Sequence, residues 1–325
     1  MNVHNFSFLG WPDGDQVVTI AVDSSASITW IKSWNITISS FIFNFYGNFI
    51  FIMRFEHSEL VQLSNISIYG NGYNGCSSII SEESVLEFND SMFIGLNGFV
   101  GAALMMFTSN ITFRGSIMFT DNTAVSGGSI YLTHNSTIIF NGTSLFLNKN
   151  LAYWGGALSI SKGNFIIKGY ALFDSNYADF LGGALRITSR ANFIFCGSVY
   201  SESSNVSLDV DVLSLKKAKV FDTECSTDNT TSFNNSITFL RNTAEYQGGS
   251  IACGNESTNT IVSTVTFIGI MYFIESYQSA INGYGCNMRF IGTTYFYKNS
   301  ALYEGGGAIV SSNSNIMLSG TAYFE

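Results

Sequence analysis

Carboxylates close together in a sequence can share a cation or divide acid and base work. The acidic pairs are therefore where chemistry is first sought in these 325 residues. The pairs are Asp13 with Asp15, Glu82 with Glu83, and Asp209 with Asp211. Asp209 and Asp211 alternate within Val206–Leu215, a stretch whose pattern suits strand, and Lys216 and Lys217 follow closely. Clustered acids with a basic neighbour are what polysaccharide lyases and hydrolases require, but a solvated edge or loop accounts for the same residues. The histidines, His4, His57 and His134, are far apart. His57 is flanked by Glu56 and Glu59, while a zinc centre needs more convergent ligands than this. No residue is assigned as catalytic, cofactor-binding or metal-ligating, and no cofactor is expected.

Five cysteines, Cys76, Cys196, Cys225, Cys253 and Cys286, form no CxxC pair, and an odd number leaves at least one without a partner in the chain. Buried thiols would account for them. Two pairings also stay open: Cys253 with Cys286 between neighbouring repeats, and Cys196 with Cys225. Glycosylation sequons occur at Asn5, Asn35, Asn65, Asn89, Asn110, Asn135, Asn141, Asn205, Asn229, Asn234 and Asn255. They bear on function only if the chain enters a eukaryotic secretory route.

The positions of these groups are set by the rest of the chain, which is 46 % apolar and carries 29 Phe, 31 Gly and a single proline, Pro12. Such a composition excludes disorder and favours strands with tight turns. Charge is sparse at 11 % with a net of −9, which argues against a nucleic-acid partner; only Lys216, Lys217 and Lys219 form a basic patch. Met1–Gly10 lacks the pattern of an ordinary signal peptide. The longest apolar-leaning run, Phe41–Met53, is interrupted by Asn44, Gly47 and Asn48 and is too short for a membrane span.

A three-part repeat organises the sequence. Small-residue blocks begin at Gly101, Gly127, Gly155, Gly182, Gly248, Gln278 and Gly306, at intervals of 26, 28, 27, 66, 30 and 28 residues. A Phe-x-x-Asn-x-Ala block precedes them, as in Phe119 to Ala124, Phe173 to Ala178, Phe239 to Ala244 and Phe296 to Ala301. The copy at Phe146 to Ala152 reads one residue longer, and Phe93 with Asn97 and Phe273 with Ser276 read as degraded copies. Between these blocks an apolar residue stands two before glycine, as in Phe113-x-Gly115, Phe140-x-Gly142 and Ile167-x-Gly169. Three short strands per unit cannot bury their apolar faces alone, whereas stacking the units in parallel buries a continuous core.

The expected fold is all-β: a right-handed, single-stranded parallel β-helix, a pectin-lyase-like solenoid with three short strands per rung of about 27 residues. In the rung of Gly155 the strands are expected at Ala157–Ile160, Asn164–Lys168 and Tyr170–Phe173, with Asp174–Leu181 as a loop. Phe119, Phe173, Phe239 and Phe296 should form an interior aromatic column. Asn122, Asn176, Asn242 and Asn299 should form a ladder of side-chain amides. Residues 1–90 read as degenerate rungs or a cap, and 91–325 as regular repeats with an insertion at about 198–235. The sequence stops inside a rung at Phe324-Glu325, so the chain is expected to be truncated there.

Gly306-Gly307-Ala308-Ile309 with Phe296-x-x-Asn299, and Gly156-Ala157-Leu158 with Phe173-x-x-Asn176, resemble the repeat of the chlamydial polymorphic outer-membrane proteins and its look-alikes in secreted or surface proteins of some eukaryotes. The resemblance covers about Phe93–Glu325, and the sequons fit a eukaryotic member better. It implies a surface-exposed or secreted β-helical stalk, used in the bacterial members for adhesion, and brings no catalytic residues with it. The expected function is a non-enzymatic, adhesin-like scaffold at the cell surface or outside the cell, with glycan or protein ligands and no transmembrane segment in the chain. The alternative is a carbohydrate-active enzyme, a lyase or hydrolase, on the same fold.

Overall fold

The computed structural model describes residues 7–9, 18–23, 28–46, 51–70, 77–196, 236–254, 263–302 and 306–325. Ile111 lies beside Ile138, Ile138 beside Phe165, and Phe165 beside Phe193, always in parallel register. One step along the coil is thus one sequence repeat, and the chain is a parallel β-solenoid of the pectin-lyase type. Among the described residues its strands form sheets of fifteen, ten and four members.

The rung opened by Gly155 shows the plan. Leu158–Ser161 joins the ten-stranded sheet, Asn164–Ile167 and Tyr170–Asp174 both join the fifteen-stranded sheet, and Tyr177–Leu181 joins the four-stranded one. Two expectations are corrected here. The stretch expected to be a loop contains the strand Tyr177–Leu181, and the second and third strands are two parts of one bent sheet. In other rungs that bend is crossed without a break, as by Val85–Ile94 and Asn110–Thr120. The same sheet runs continuously from Trp34–Tyr46 through Glu59–Tyr69 to Val85–Ile94 and beyond.

Alternation drives this geometry, because successive strand residues face opposite sides. In Tyr170–Asp174, Ala171 and Phe173 are fully buried, while Tyr170, Leu172 and Asp174 face outward and are half-buried. The buried ring of one rung rests on that of the next. Phe93 stacks on Phe119 at 4.8 Å, Phe173 on Phe239 at 4.8 Å, and Phe239, Phe273, Phe296 and Phe324 follow at 5.0 Å. Leu147 interrupts this column between Phe119 and Phe173. Phe146 instead pairs with Met118 and Leu172 and points outward. The apparent extra residue in that copy is therefore a misread frame; the unit is Leu147-x-x-Asn150-x-Ala152. Asn97 is misread in the same way, since it bridges Thr123 while Leu96 stands where the ladder asparagine would be.

The two glycines of the Gly-Gly block have different duties. Gly155 sits at φ +65°, a left-handed conformation that other L-residues adopt only with strain. A Cβ on Gly156 would lie 1.9 Å from the Gly183 carbonyl oxygen in the next rung, so here it is space that demands glycine.

Side-chain ladders close the turns. Asn176 Oδ1 accepts from the backbone N–H of Asn150 at 3.0 Å, and its Nδ2 donates to the Leu147 carbonyl at 2.9 Å. Each ladder asparagine thereby ties off the turn of the rung before it, which buried backbone groups require. Asn122, Asn150, Asn176 and Asn242 are all fully buried. A serine ladder at another corner was not anticipated. The Ser58 N–H donates to Ser84 Oγ at 2.9 Å, that of Ser84 to Ser109 at 3.1 Å, and that of Ser109 to Ser136 at 3.2 Å. Each of these serines follows a residue with positive φ, namely His57, Glu83, Thr108 and Asn135.

Candidate functional site

Among the described residues singled out for chemistry, Glu82, Glu83 and His57 lie together on neighbouring rungs. Glu82 pairs with Arg54 at 2.7 Å, and Glu83 with His57 at 2.9 Å, on the exposed side of successive rungs. His57 thus meets a carboxylate one rung away rather than the glutamates beside it in sequence. His134 is exposed in a turn at φ 53°, its ring 5.5 Å from that of Phe107. Asp13, Asp15, His4, Asp209, Asp211, Lys216, Lys217 and Lys219 lie outside the described residues. Among the described residues no group of three or more His, Cys, Asp or Glu is placed to hold a metal ion.

Cys253 and Cys286 form a disulfide, with Cα atoms 6.0 Å apart. Cys196 is also disulfide-bonded; Cys225, the partner considered for it, lies outside the described residues.

A different feature rises from the four-stranded sheet. Its inward positions are alanines, Ala124, Ala152, Ala178 and Ala244, which leave room for the neighbouring coil wall. Its outward side carries an aromatic row, exposed at Tyr153, half-buried at Phe180 and continued by the exposed Tyr246 just past the last strand. Tyr153 stacks on Phe180 at 5.6 Å and 5°, and Phe180 on Tyr246 at 4.9 Å and 5°. Phe99 stands 63 % exposed in the corresponding place of an earlier rung. A bulge creates the alignment. Ala152 pairs with Ala178 but Trp154 with Leu181, so Asp179 and Phe180 together oppose Tyr153. Beside this ridge the Tyr177 hydroxyl donates to Glu245. Desolvation, then the hydrogen bond and charge of Glu245, push the Tyr177 phenol well above its ordinary range.

The ridge had a sequence signal that the repeat reading passed over. Phe99, Tyr153, Phe180 and Tyr246 each stand two residues before the first glycine of a Gly block. At its flank, Trp154 packs edge-on against Tyr153 at 4.7 Å, and the Arg186 guanidinium lies 5.2 Å from the Trp154 ring centre. The arrangement offers an apolar contact surface with a cation at one border. Exposed aromatic groups of this kind are frequent at contact surfaces.

No helix among the described residues is long and apolar enough to cross a membrane. No family model, curated protein or solved structure matches the chain.

Proposed function

We propose that this protein is a non-enzymatic β-helical scaffold, adhesin-like, displayed outside the cell or on its surface. The proposal includes kinship with the repeats of the chlamydial polymorphic outer-membrane proteins and their eukaryotic look-alikes. The observation that carries the reading is the stacked ridge Tyr153–Phe180–Tyr246, aromatic surface lying along the outer side of the four-stranded sheet. The repeat residues serve the coil itself, while the ridge serves nothing inside it.

Two further features support an extracellular setting. Disulfides such as Cys253–Cys286 persist in oxidising compartments. The sequon asparagines Asn35, Asn65, Asn110, Asn135 and Asn141 are exposed. The buried ladder asparagines are excluded from sequons, because alanine stands two residues after each. Glycans could therefore be added without touching the core.

The test is binding to a glycan array and to cell surfaces by the secreted full-length protein, run beside lyase and hydrolase assays on the same glycans. Stable binding that leaves the ligand intact is expected and should weaken when Phe180 and Tyr246 are replaced by serine. Cleavage without stable binding would overturn the scaffold reading.

A further inference from the structure

Three buried polar atoms without a hydrogen-bond partner cluster around Trp154: the hydroxyls of Ser126 and Ser159 and the Nε of Arg186. Ser126 is the register neighbour of Trp154, Ser159 is the register neighbour of Arg186, and Arg186 lies over the Trp154 ring. Gly127, next to Ser126 in the chain, faces Ser159, since a Cβ there would lie 3.0 Å from the Ser159 N–H nitrogen. Tyr131 stands on the other side of Ser159 in the same outward column. Ser126 and Ser159 are 4 % and 1 % exposed. Buried polar groups in folded proteins are nearly always paired, so a concentration of unpaired ones needs a reason. All three can donate, and the adjoining charge is positive. Arg186 makes no ion pair with a carboxylate of the described residues; it lies over the aromatic face of Trp154, with the Tyr131 phenol as a further electrostatic neighbour. Burial depresses its guanidinium pKa, with the Tyr131 phenol opposing in part, as for a cation held partly out of water.

We infer that Arg186, Trp154, Ser126 and Ser159 form a binding site for a carboxylate-bearing sugar. A carboxylate matches the guanidinium fork geometrically and supplies the missing negative charge. The apolar faces of Trp154 and of the neighbouring Tyr153, 42 % exposed, suit the carbon face of a sugar ring. The inference rests on the scaffold reading and names the ligand chemistry at one end of the aromatic ridge.

The experiment titrates the full chain with 3′-sialyllactose and with a hyaluronan tetrasaccharide, which distinguish a sialic acid from a uronic acid as the source of the carboxylate. Lactose, the carboxyl methyl esters and a polyglutamate peptide serve as controls. Saturable binding of at least one acidic saccharide is expected, about tenfold or more tighter than its methyl ester, as loss of a charge-assisted contact implies. Arg186→Gln and Trp154→Ala should each lose about tenfold or more, and Arg186→Lys should recover part of that loss. Arg241→Gln, at an exposed ion pair with Asp174, should bind as wild type. Thermal unfolding of Arg186→Gln should match wild type, separating loss of binding from loss of fold. Equal binding of the esters, unchanged binding by Arg186→Gln, or binding of polyglutamate in place of both saccharides would overturn the site. None of these results would show saccharide cleavage, the outcome that overturns the scaffold reading.

Discussion

The side-chain amide of Asn176 donates to Oδ1 of Asn242 at 3.1 Å across 66 residues of sequence. The same oxygen accepts the backbone N–H of Asn176 at 3.0 Å. The longest interval between Gly-Gly blocks is therefore spanned by an ordinary rung-to-rung contact, and the coil continues as though nothing had been inserted. Phe173 on Phe239 and Ala178 beside Ala244 tell the same story.

Asn176→Leu should destabilise the fold by roughly 1–3 kcal/mol, because leucine leaves the N–H of Asn150 and the carbonyl of Leu147 without partners in a buried turn. Urea unfolding of the variant checks this. An unchanged midpoint would reject the ladder as a stabilising element.

Gly156→Ala should be worse tolerated than its chemistry suggests. The added methyl meets backbone, the Gly183 carbonyl at 1.9 Å, which cannot swing aside as a side chain would. Overpacking of this kind costs roughly 1–3 kcal/mol, read as a lower denaturation midpoint than wild type.

Reduction of the Cys253–Cys286 disulfide should lower the thermal midpoint. The crosslink joins residues separated by 33 in sequence, and loops of that order typically contribute about 2–4 kcal/mol. A Cys253→Ser, Cys286→Ser double variant should show the lowered midpoint without reductant, and a midpoint equal to wild type would contradict the expectation.

Stability should fall as pH rises above 10, through Tyr272. Burial foremost, then the neighbouring Tyr295, pushes the Tyr272 phenol from 10.0 up to about 12. The folded state holds this proton where the unfolded chain has released it. The contribution is fully present below pH 10 and is lost between pH 10 and about 12. Thermal midpoints measured from pH 9 to 11 should decline less steeply in Tyr272→Phe than in wild type.

Much of the fold was legible because the coil repeats its own address. Stacked rungs place like residues over like, so Phe119, Phe173 and Phe239, or Asn122, Asn176 and Asn242, announce themselves by spacing. Misreading began where one type replaced another in the same place. Leu147 stands in the phenylalanine column and Leu96 at the ladder corner, and each drew the frame toward a neighbour, Phe146 or Asn97, that matched by type but faced outward. The serine ladder went unnoticed because serine is common and its partner is a backbone N–H, which leaves no pattern of residue types.

The sequence alone determined the architecture: a period, an alternation of buried and exposed residues, and glycines where only glycine fits. These are local and repeated, and the same steric and burial rules act in every rung. Only the tertiary structure decided the surface. The ridge of Tyr153, Phe180 and Tyr246 depends on a bulge opposite Tyr153, and the cluster at Trp154 joins residues from two sheets and four rungs. Which outward side chains meet across a corner is set by the path of the coil in space, and a side chain's partner there is a matter of distance rather than of order along the chain.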